Sequence, residues 1–324
     1  MTRNYYFSLV NQVDLEAPAS TSRVAIGVIV LTLNQRDMTL QCLAHLSVGR
    51  YPYRILVWDN GSRDGTVEAI RLAHPEVRTH HHSTNIGVAS GRNTAAALLI
   101  REFSPTHLLF LDNDMLVEPG FVDALVQPML DDQRVAQTQA KLRFMHDPAR
   151  LNDGGGCSIN WTLGRTMPVG FGEIDCGQHD TAKPCIACGG AMMVRTDVFQ
   201  QLGGFDLQFN PFGPEDIDFS LRLAKAGHIA LYVPTAIAYH QVSHTFGEGY
   251  GEDYARHKSR HWFSFMRRHA SRPQKVAFYA LGAPYLALRI VVREGRRGNI
   301  RALRGTFRGI LDFLRPSRAT REPD

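Results

Sequence analysis

Four polar clusters in this 324-residue chain combine residue types and spacings that could do chemistry. They are Asp59 to Thr66, Asn85 to Asn93, Asp112-Asn113-Asp114, and Glu215-Asp216 with Asp218. Two aspartates separated by one residue after Leu109-Phe110-Leu111 can both reach one hard cation, leaving its other positions to phosphate oxygens. An aspartate that ends a buried strand can accept hydrogen bonds from a heterocycle or a sugar. Glycines after Asp59 and Asn85 let the backbone approach closely. Each cluster alone also has an ordinary explanation, because Asp-Gly-Thr caps helices, Asn-x-Gly makes turns, and acids favour a helix start. Their shared placement along the fold decides between the two.

Three of these clusters follow segments that read as buried strands. Val24–Leu31 is a continuous apolar, β-branched run of the kind buried on both faces of a parallel sheet. A helix around Met38–Leu46 leads to a strand at Tyr53–Trp58, and a helix at Val67–Ala73 to a short strand at Val77–His81. A helix at Val88–Arg101 precedes a strand at His107–Leu111. This alternation predicts an α/β sheet with its loops gathered at the carboxyl ends of the strands, where the clusters fall. Beyond Gln127 the pattern is irregular through Gly154-Gly155-Gly156. It resumes with Ala187–Val194, a turn at Gly203-Gly204, a helix at Asp216–Ala226 and a strand at Ile229–Val233. With 44% hydrophobic and 21% charged residues, disorder throughout is excluded.

In order and spacing these motifs resemble the family 2 glycosyltransferases, inverting enzymes of GT-A fold that move a sugar from a nucleotide donor. The likeness runs from about Val24 to His244. It implies a Rossmann-like, nucleotide-binding mixed sheet flanked by helices, followed here by a basic helical extension. Val28 to Asn34 is similar to the family's first strand and nucleotide-facing loop, which makes Thr32 and Asn34 donor-site candidates. Asp59 matches the aspartate that binds the base, and Asn85, Gly87, Arg92 and Asn93 match the next donor-site loop. Asp112-Asn113-Asp114 resembles the Asp-x-Asp metal and nucleotide motif, so that Asp112 and Asn113 face the nucleotide and Asp114 the metal.

In the second half, Gly189-Gly190 to Arg195, Gly203 to Asp206 and Glu215 to Arg222 resemble the block that leads into the family's Glu-Asp motif. The resemblance makes Asp216 the general base and Glu215 its neighbour at the acceptor site. His240 is the candidate that completes the metal shell, with His244 a weaker one. The implied cofactor is Mn²⁺ or Mg²⁺, and an imidazole beside carboxylates suits Mn²⁺ better. The implied donor is a UDP-, dTDP- or GDP-linked sugar, and the acceptor a saccharide or lipid-linked intermediate. The expected domains are an extension at 1–22, a catalytic domain at 23–250 and a tail at 251–324. The catalytic domain divides into a nucleotide-sugar half, 23–127, and an acceptor half, 128–250.

Two rival readings carry less. A nucleotidyltransferase needs a basic, glycine-rich phosphate loop after its first strand, and Thr32-Leu33-Asn34-Gln35-Arg36 is a poor one. A non-catalytic sugar-nucleotide binder would not need Asp114, Asp216 and His240 together. Cys176-x-x-His179 and Cys185-x-x-Cys188 invite a zinc reading, with free thiols or a local disulfide as the alternatives. His80-His81-His82 reads as an exposed strand end rather than a metal site, since adjacent strand residues point to opposite faces. Trp161 and Asp153–Cys157 could line an acceptor cleft or form an ordinary loop.

The net charge of +5 conceals a division: residues 256–324 carry 17 Lys and Arg against four acids, while the first 255 residues carry 19 against 27. Ile300, Leu303, Phe307, Ile310, Leu311 and Leu314 form one apolar helical stripe, bordered by Arg297, Arg301, Arg304, Arg308 and Arg315. That pattern suits a helix lying in an anionic membrane interface, so residues 276–324 are expected to meet a membrane surface. The plainer alternative is a helix packed on the catalytic domain with its arginines in water. The apolar run 276–292 is interrupted by Pro284 and Arg289 and falls short of the roughly 20 residues a spanning helix needs. No nucleic-acid motif accompanies the basic end, so nucleic acid is not an expected partner. Five cysteines and no secretory apolar start place the expected setting in the cytosol, peripheral to the inner face of the membrane.

Overall fold

The computed structural model describes residues 24–46, 49–187, 190–241 and 251–315. His244 and Cys188, both named above, lie outside them. The chain divides into two compact units. The first comprises the described parts of Met1–Ser158, Met167–Asn210 and Glu215–Ser243, and the second those of Ile159–Thr166, Pro211–Pro214 and His244–Asp324.

The first unit is built on a ten-stranded mixed sheet. Its strands are β1 (Ile26–Thr32), β2 (Tyr53–Asp59), β3 (Arg78–His81), β4 (His107–Asp112), β5 (Met115–Val117), β6 (Val135–Phe144), β7 (Leu151–Asp153), β10 (Lys183–Pro184), β11 (Ala191–Arg195) and β12 (Ile229–His240). Cys157–Asn160 (β8) and Arg165–Pro168 (β9) pair separately as a hairpin. The order across the main sheet is β10-β12-β6-β11-β4-β1-β2-β3, with β5 on β12 and β7 on β6. β1 runs parallel to β2 and β4, whereas β11 runs antiparallel to β4.

Helices cover both faces, which explains why β1 is apolar throughout. Ile26, Val28 and Val30 pack with α1 (Arg36–His45) and, further along the sheet, α4 (Phe121–Asp131). Ile29 and Leu56 pack on the other face with α3 (Val88–Phe103), which follows α2 (Thr66–Ala73). α3 comes close because residue 91 is glycine. A β-carbon there would lie 2.8 Å from Leu31 Cδ1 and 3.3 Å from Trp58 Cδ1. α5 (Thr196–Gln201) and α6 (Glu215–Lys225) follow, and Phe110, Phe199, Phe205 and Phe219 form an aromatic nest beneath them.

The second unit contains α7 (Glu252–His269), α8 (Arg272–Ala277), α9 (Ala283–Arg296) and α10 (Ile300–Leu314). α10 lies on α7 through its small residues, Ala302, Gly305, Thr306 and Gly309. The backbones touch: a β-carbon on Gly305 would lie 2.0 Å from the Glu252 carbonyl oxygen, and one on Gly309 2.1 Å from that of Arg256. Three large apolar residues of α10 therefore turn outward, Ile300 at 70%, Phe307 at 64% and Leu314 at 66% exposed, while Leu303, Ile310, Leu311 and Phe313 are half-buried.

Between α8 and α9 the chain makes one π-helical turn, Phe278–Gly282, so helix continues from Arg272 to Arg296, 25 residues. This corrects the expectation that the run is too short. The interrupting Pro284 lies inside this continuous helix directly after the π turn, which takes up the mismatch that its missing N–H creates. By length and composition this helix is long and apolar enough to cross a membrane, and Val276, Leu281, Leu288 and Val291 on it are exposed.

Candidate active site

β4 ends at Asp112, Asn113 and Asp114 turn the chain, and β5 returns antiparallel to the end of β12 with Met115 opposite His240. That register brings His240 Nε2 to 3.3 Å from Asp114 Oδ2, on a carboxylate only 7% exposed. The imidazole Nδ1 donates to Asn152 Oδ1 at 3.0 Å, so Nε2 is the nitrogen presented to Asp114. Burial disfavours the charged ring, yet Asp114, with Asp112 behind it, outweighs burial and holds His240 above its ordinary range. Among the described residues no three His, Cys, Asp or Glu side chains form a ready metal cluster. Asp114 and His240 could offer two ligands, a hard carboxylate beside an oriented imidazole. They fit a divalent ion whose remaining positions belong to a substrate.

Arg92 ties this hairpin to α6. Its guanidinium, on a residue 5% exposed, donates to Asp112 Oδ1 at 2.6 Å and to Glu215 Oε1 at 3.3 Å. Burial works against the charge of Arg92, but Asp112, Glu215 and Asp216 more than compensate and raise its pKa. For Glu215, burial and then the charge of Asp216 push the carboxyl well above the usual carboxylate range, with Arg92 pulling the other way. A low-dielectric interior holding one cation and several acids can persist only as this bonded set. Gly190 leaves room for it: a β-carbon there would lie 2.1 Å from Asp112 Oδ2.

The loops after β1 and β2 are joined by hydrogen bonds. Asn34 adopts a left-handed φ of 52°, its N–H donates to Ser62 Oγ at 2.8 Å, and its Oδ1 accepts from Arg63 N at 2.8 Å. Asp59 is fully buried, accepting from Ser62 N at 3.0 Å and bonding His81 Nδ1 at 2.6 Å. Thr32, Thr39 and Asn113 form a buried trio: Asn113 Nδ2 donates to Thr32 Oγ1 at 3.2 Å and to Thr39 Oγ1 at 3.0 Å. Asn85 Oδ1 accepts from Asn60 Nδ2 at 3.1 Å and from Gly87 N at 2.8 Å, and Gly87 opens α3 with a φ of 88°. The candidate donor-site residues thus sit in one bonded group at the carboxyl ends of β1, β2, β3 and β4, apart from Asn93. Both amide ends of Asn93 are bonded to the backbone of Phe205, at 2.8 and 2.9 Å.

The three acids opening α6 differ. Asp218 is fully buried and bonds Arg222 at 2.8 Å, and Arg222 in turn holds the carbonyls of Leu202 and Gly204. Glu215 bonds Arg92, and Asp216, half-buried in the first turn, accepts from Ile217 N at 2.7 Å.

Two positioning residues escaped sequence reasoning. Asn152 lies 88 residues from His240 with no motif around it, and His81 was read only as part of a histidine run. The alternation argument for that run holds: His80 stacks on Trp58 with centroids 4.3 Å apart, while His81 turns to Asp59. Of the zinc candidates, His179 bonds Glu173 at 3.0 Å, Cys176 is exposed, and Cys185 is half-buried with its thiol pushed up by burial. Asp153 bonds the backbone N–H groups of Gly155 and Gly156, and Trp161 stacks on Phe265, 6.1 Å between centroids.

A mixed sheet flanked by helices is the architecture of GT-A glycosyltransferase structures, and this chain has that fold. Over residues 23–264 the chain matches the glycosyltransferase-like family 2, and it belongs to that family. It is 25% identical over 302 residues to the N-acetylglucosaminyl-diphospho-decaprenol L-rhamnosyltransferase of Mycobacterium tuberculosis, covering 86% of this chain and 98% of that one. Against the chondroitin synthase of Pasteurella multocida it is 24% identical over 245 residues, 67% of this chain and 25% of that one. Among solved structures, GalNAc-T7 with UDP, GalNAc and Mn²⁺ superposes with a TM-score of 0.62 at 16% identity, over 81% of this chain and 51% of that one. The mannosyltransferase of Pyrobaculum calidifontis with GDP-mannose and Mn²⁺ gives 0.52 at 20% identity, over 96% and 81%. At these identities the structures establish the fold.

Proposed function

We propose that this glycosyltransferase moves a sugar, with inversion, from a nucleoside diphosphate sugar to a hydroxyl of a lipid-linked saccharide. The observation that carries the reading is the Arg92 bridge, because it joins the Asp112 end of the metal hairpin to the helix start that bears Asp216. The acceptor class follows the M. tuberculosis relative, whose name specifies a decaprenol-linked diphosphate.

Asp216 is the general base. As the acceptor oxygen attacks the anomeric carbon, its proton passes to the Asp216 carboxylate, the new C–O bond forms, and the bond to the diphosphate breaks on the opposite side. A divalent ion held by Asp114 and His240, Mn²⁺ or Mg²⁺, supplies charge neutralisation for the leaving diphosphate. Asn152 orients His240, and Arg92 holds Asp112 and Glu215 in place. Thr32, Asn34, Asp59, Asn85, Gly87 and Asn113 serve the nucleotide, while Asn93 acts through the turn at Phe205. The domain division proposed is a catalytic domain at 23–250 and a helical tail from 251, with the tail resting on the inner face of the membrane as a peripheral element. Its exposed apolar residues on 272–296 and 300–314, bordered by arginines, support that placement.

The test is turnover against binding. Calorimetry with UDP, dTDP and GDP in the presence of Mn²⁺ identifies the nucleotide, and Asp216→Asn is expected to retain that binding while losing transfer. Full transfer by Asp216→Asn removes the base assignment, and activity undiminished by EDTA removes the metal. Vesicle association that survives an alkaline wash would replace peripheral docking with a spanning helix.

A further inference from the structure

The second unit contains a cleft of about 360 Å³ that the transfer mechanism does not use. Its walls come from three helices, α7, α9 and α10, and from the segment Gly164–Thr166. Arg165, Lys258, Arg289 and Arg293 line it, no acidic residue does, and the remaining lining is largely apolar or aromatic, including Trp262, Leu286 and Ile290. Arg293 is shared with Glu294, which is fully buried and accepts from it at 2.5 Å and from Asn299 at 2.9 Å. Arg165, Lys258 and Arg289, from three separate segments, together with the shared Arg293, give this concave site a positive potential suited to a single small anion.

Attraction to a bulk anionic leaflet needs no cleft. The outward-facing Arg301 and Arg304 of α10 would serve it, and neither lines the cleft. An apolar cleft with convergent cations, on a unit whose neighbouring helix residues Leu288, Val291 and Phe307 are exposed, matches an amphiphile. Its anionic group would meet the cations and its hydrocarbon chain the apolar walls.

We propose that this cleft binds the diphosphate and the first carbons of an isoprenoid-type chain, the lipid end of the acceptor. The proposal rests on the lipid-linked reading of the acceptor above. The probe is farnesyl diphosphate, titrated calorimetrically into the full chain in metal-free buffer, with inorganic diphosphate and phosphatidylglycerol vesicles as parallel arms. Arg165→Gln combined with Arg289→Gln is expected to weaken farnesyl diphosphate binding by about tenfold or more, while vesicle binding changes less than about twofold. Ala287→Trp, which fills the cleft from α9, is expected to do the same without altering charge. Arg301→Gln with Arg304→Gln should show the reverse pattern.

Unchanged farnesyl diphosphate binding in both cleft variants overturns the proposal. Inorganic diphosphate binding as tightly as farnesyl diphosphate overturns the hydrocarbon part and leaves a bare anion site. A parallel loss of vesicle binding in the cleft variants would assign the cleft to bulk lipid and overturn the acceptor assignment. None of these readouts depends on turnover, so a failure of the Asp216 assignment and a failure of the cleft are distinguishable.

Discussion

The sheet unit and helix α10 use burial in opposite ways. In the sheet unit the largest side chains are inside, Trp58, Phe110, Phe199 and Phe219 among them, and the charges enclosed with them are paired, as in Arg92 with Asp112 and Glu215. In the helical unit α10 buries Ala302, Gly305, Thr306 and Gly309 and leaves Ile300, Phe307 and Leu314 in solvent. Small residues can hold helices together by close backbone approach, as they do in lipid, but they bury little apolar area. The sheet unit uses its interior to fix charged groups at defined places. The helical unit has a core of its own in Phe265, Met266 and Phe278, but α10 keeps Ile300, Phe307 and Leu314 for a surface outside it.

The contrast is broken hardest at the site. Asp216→Asn is expected to lower kcat by about 10²–10⁴-fold with nucleotide affinity retained, read from initial rates and calorimetry side by side. Arg92→Met leaves half-buried Asp112 and buried Glu215 without their shared donor and is expected to cost about 1–3 kcal/mol of folding stability, measured by urea denaturation. Adding Glu215→Gln to Arg92→Met should change that loss by less than about 0.5 kcal/mol, since burial and Asp216 already hold the Glu215 carboxyl toward its neutral form.

Acid probes the same interior more mildly. Burial, reinforced by Arg195, lowers the His107 pKa to about 4 from an ordinary value of 6.5. The folded state therefore binds fewer protons than the unfolded chain between those values. The stability His107 protects is full above pH 6.5, falls as the pH drops toward 4, and amounts to about 3 kcal/mol. Denaturation midpoints at pH 7 and pH 4.5, compared between the native chain and His107→Gln, isolate that share.

On the helical side the expected effects on stability are smaller and divide by face. Gly309→Leu on the packed face should cost about 1–3 kcal/mol, seen as a lowered Tm. Phe307→Ser with Leu288→Ser, on the exposed faces, should leave stability within about 0.5 kcal/mol while weakening phosphatidylglycerol vesicle binding by about tenfold or more. A Tm loss in the serine variant, with vesicle binding intact, would mean those residues serve the protein's own core.

What sequence reasoning could reach follows the same contrast. β1, β2 and β4 are apolar runs because both sheet faces are covered, so they could be read directly. β6 could not, since Gln137, Thr138, Gln139 and Lys141 are polar yet almost fully buried. Lys141 is satisfied by Asp175 at 3.0 Å, from a loop 34 residues on that has no pattern of its own. α4 holds Pro128 in its interior and is not read as a helix at all. The candidate site residues were found through motif order, but the bonds among them were not. Arg92 and Glu215 are 123 residues apart, and nothing local to either announces the other. The apolar stripe of α10 was legible as a stripe. Which face of that helix touches protein was not, because it depends on how closely two backbones approach.

One feature of β12 bears on how this sequence can vary. Its pairing with β6 slips between Val233 and Ile237, where Pro234 sits, and regular pairing resumes for Ile237 to His240. The bulge separates the core half of the strand from the half that carries the histidine. Insertions or deletions at 234–236 can therefore be absorbed locally with both flanks in place. A single residue added between Ile237 and His240, opposite Met115 to Val117, would reverse which face of the sheet receives the imidazole. Length variation among relatives should be tolerated at the first position and absent from the second, a pattern readable from gaps alone.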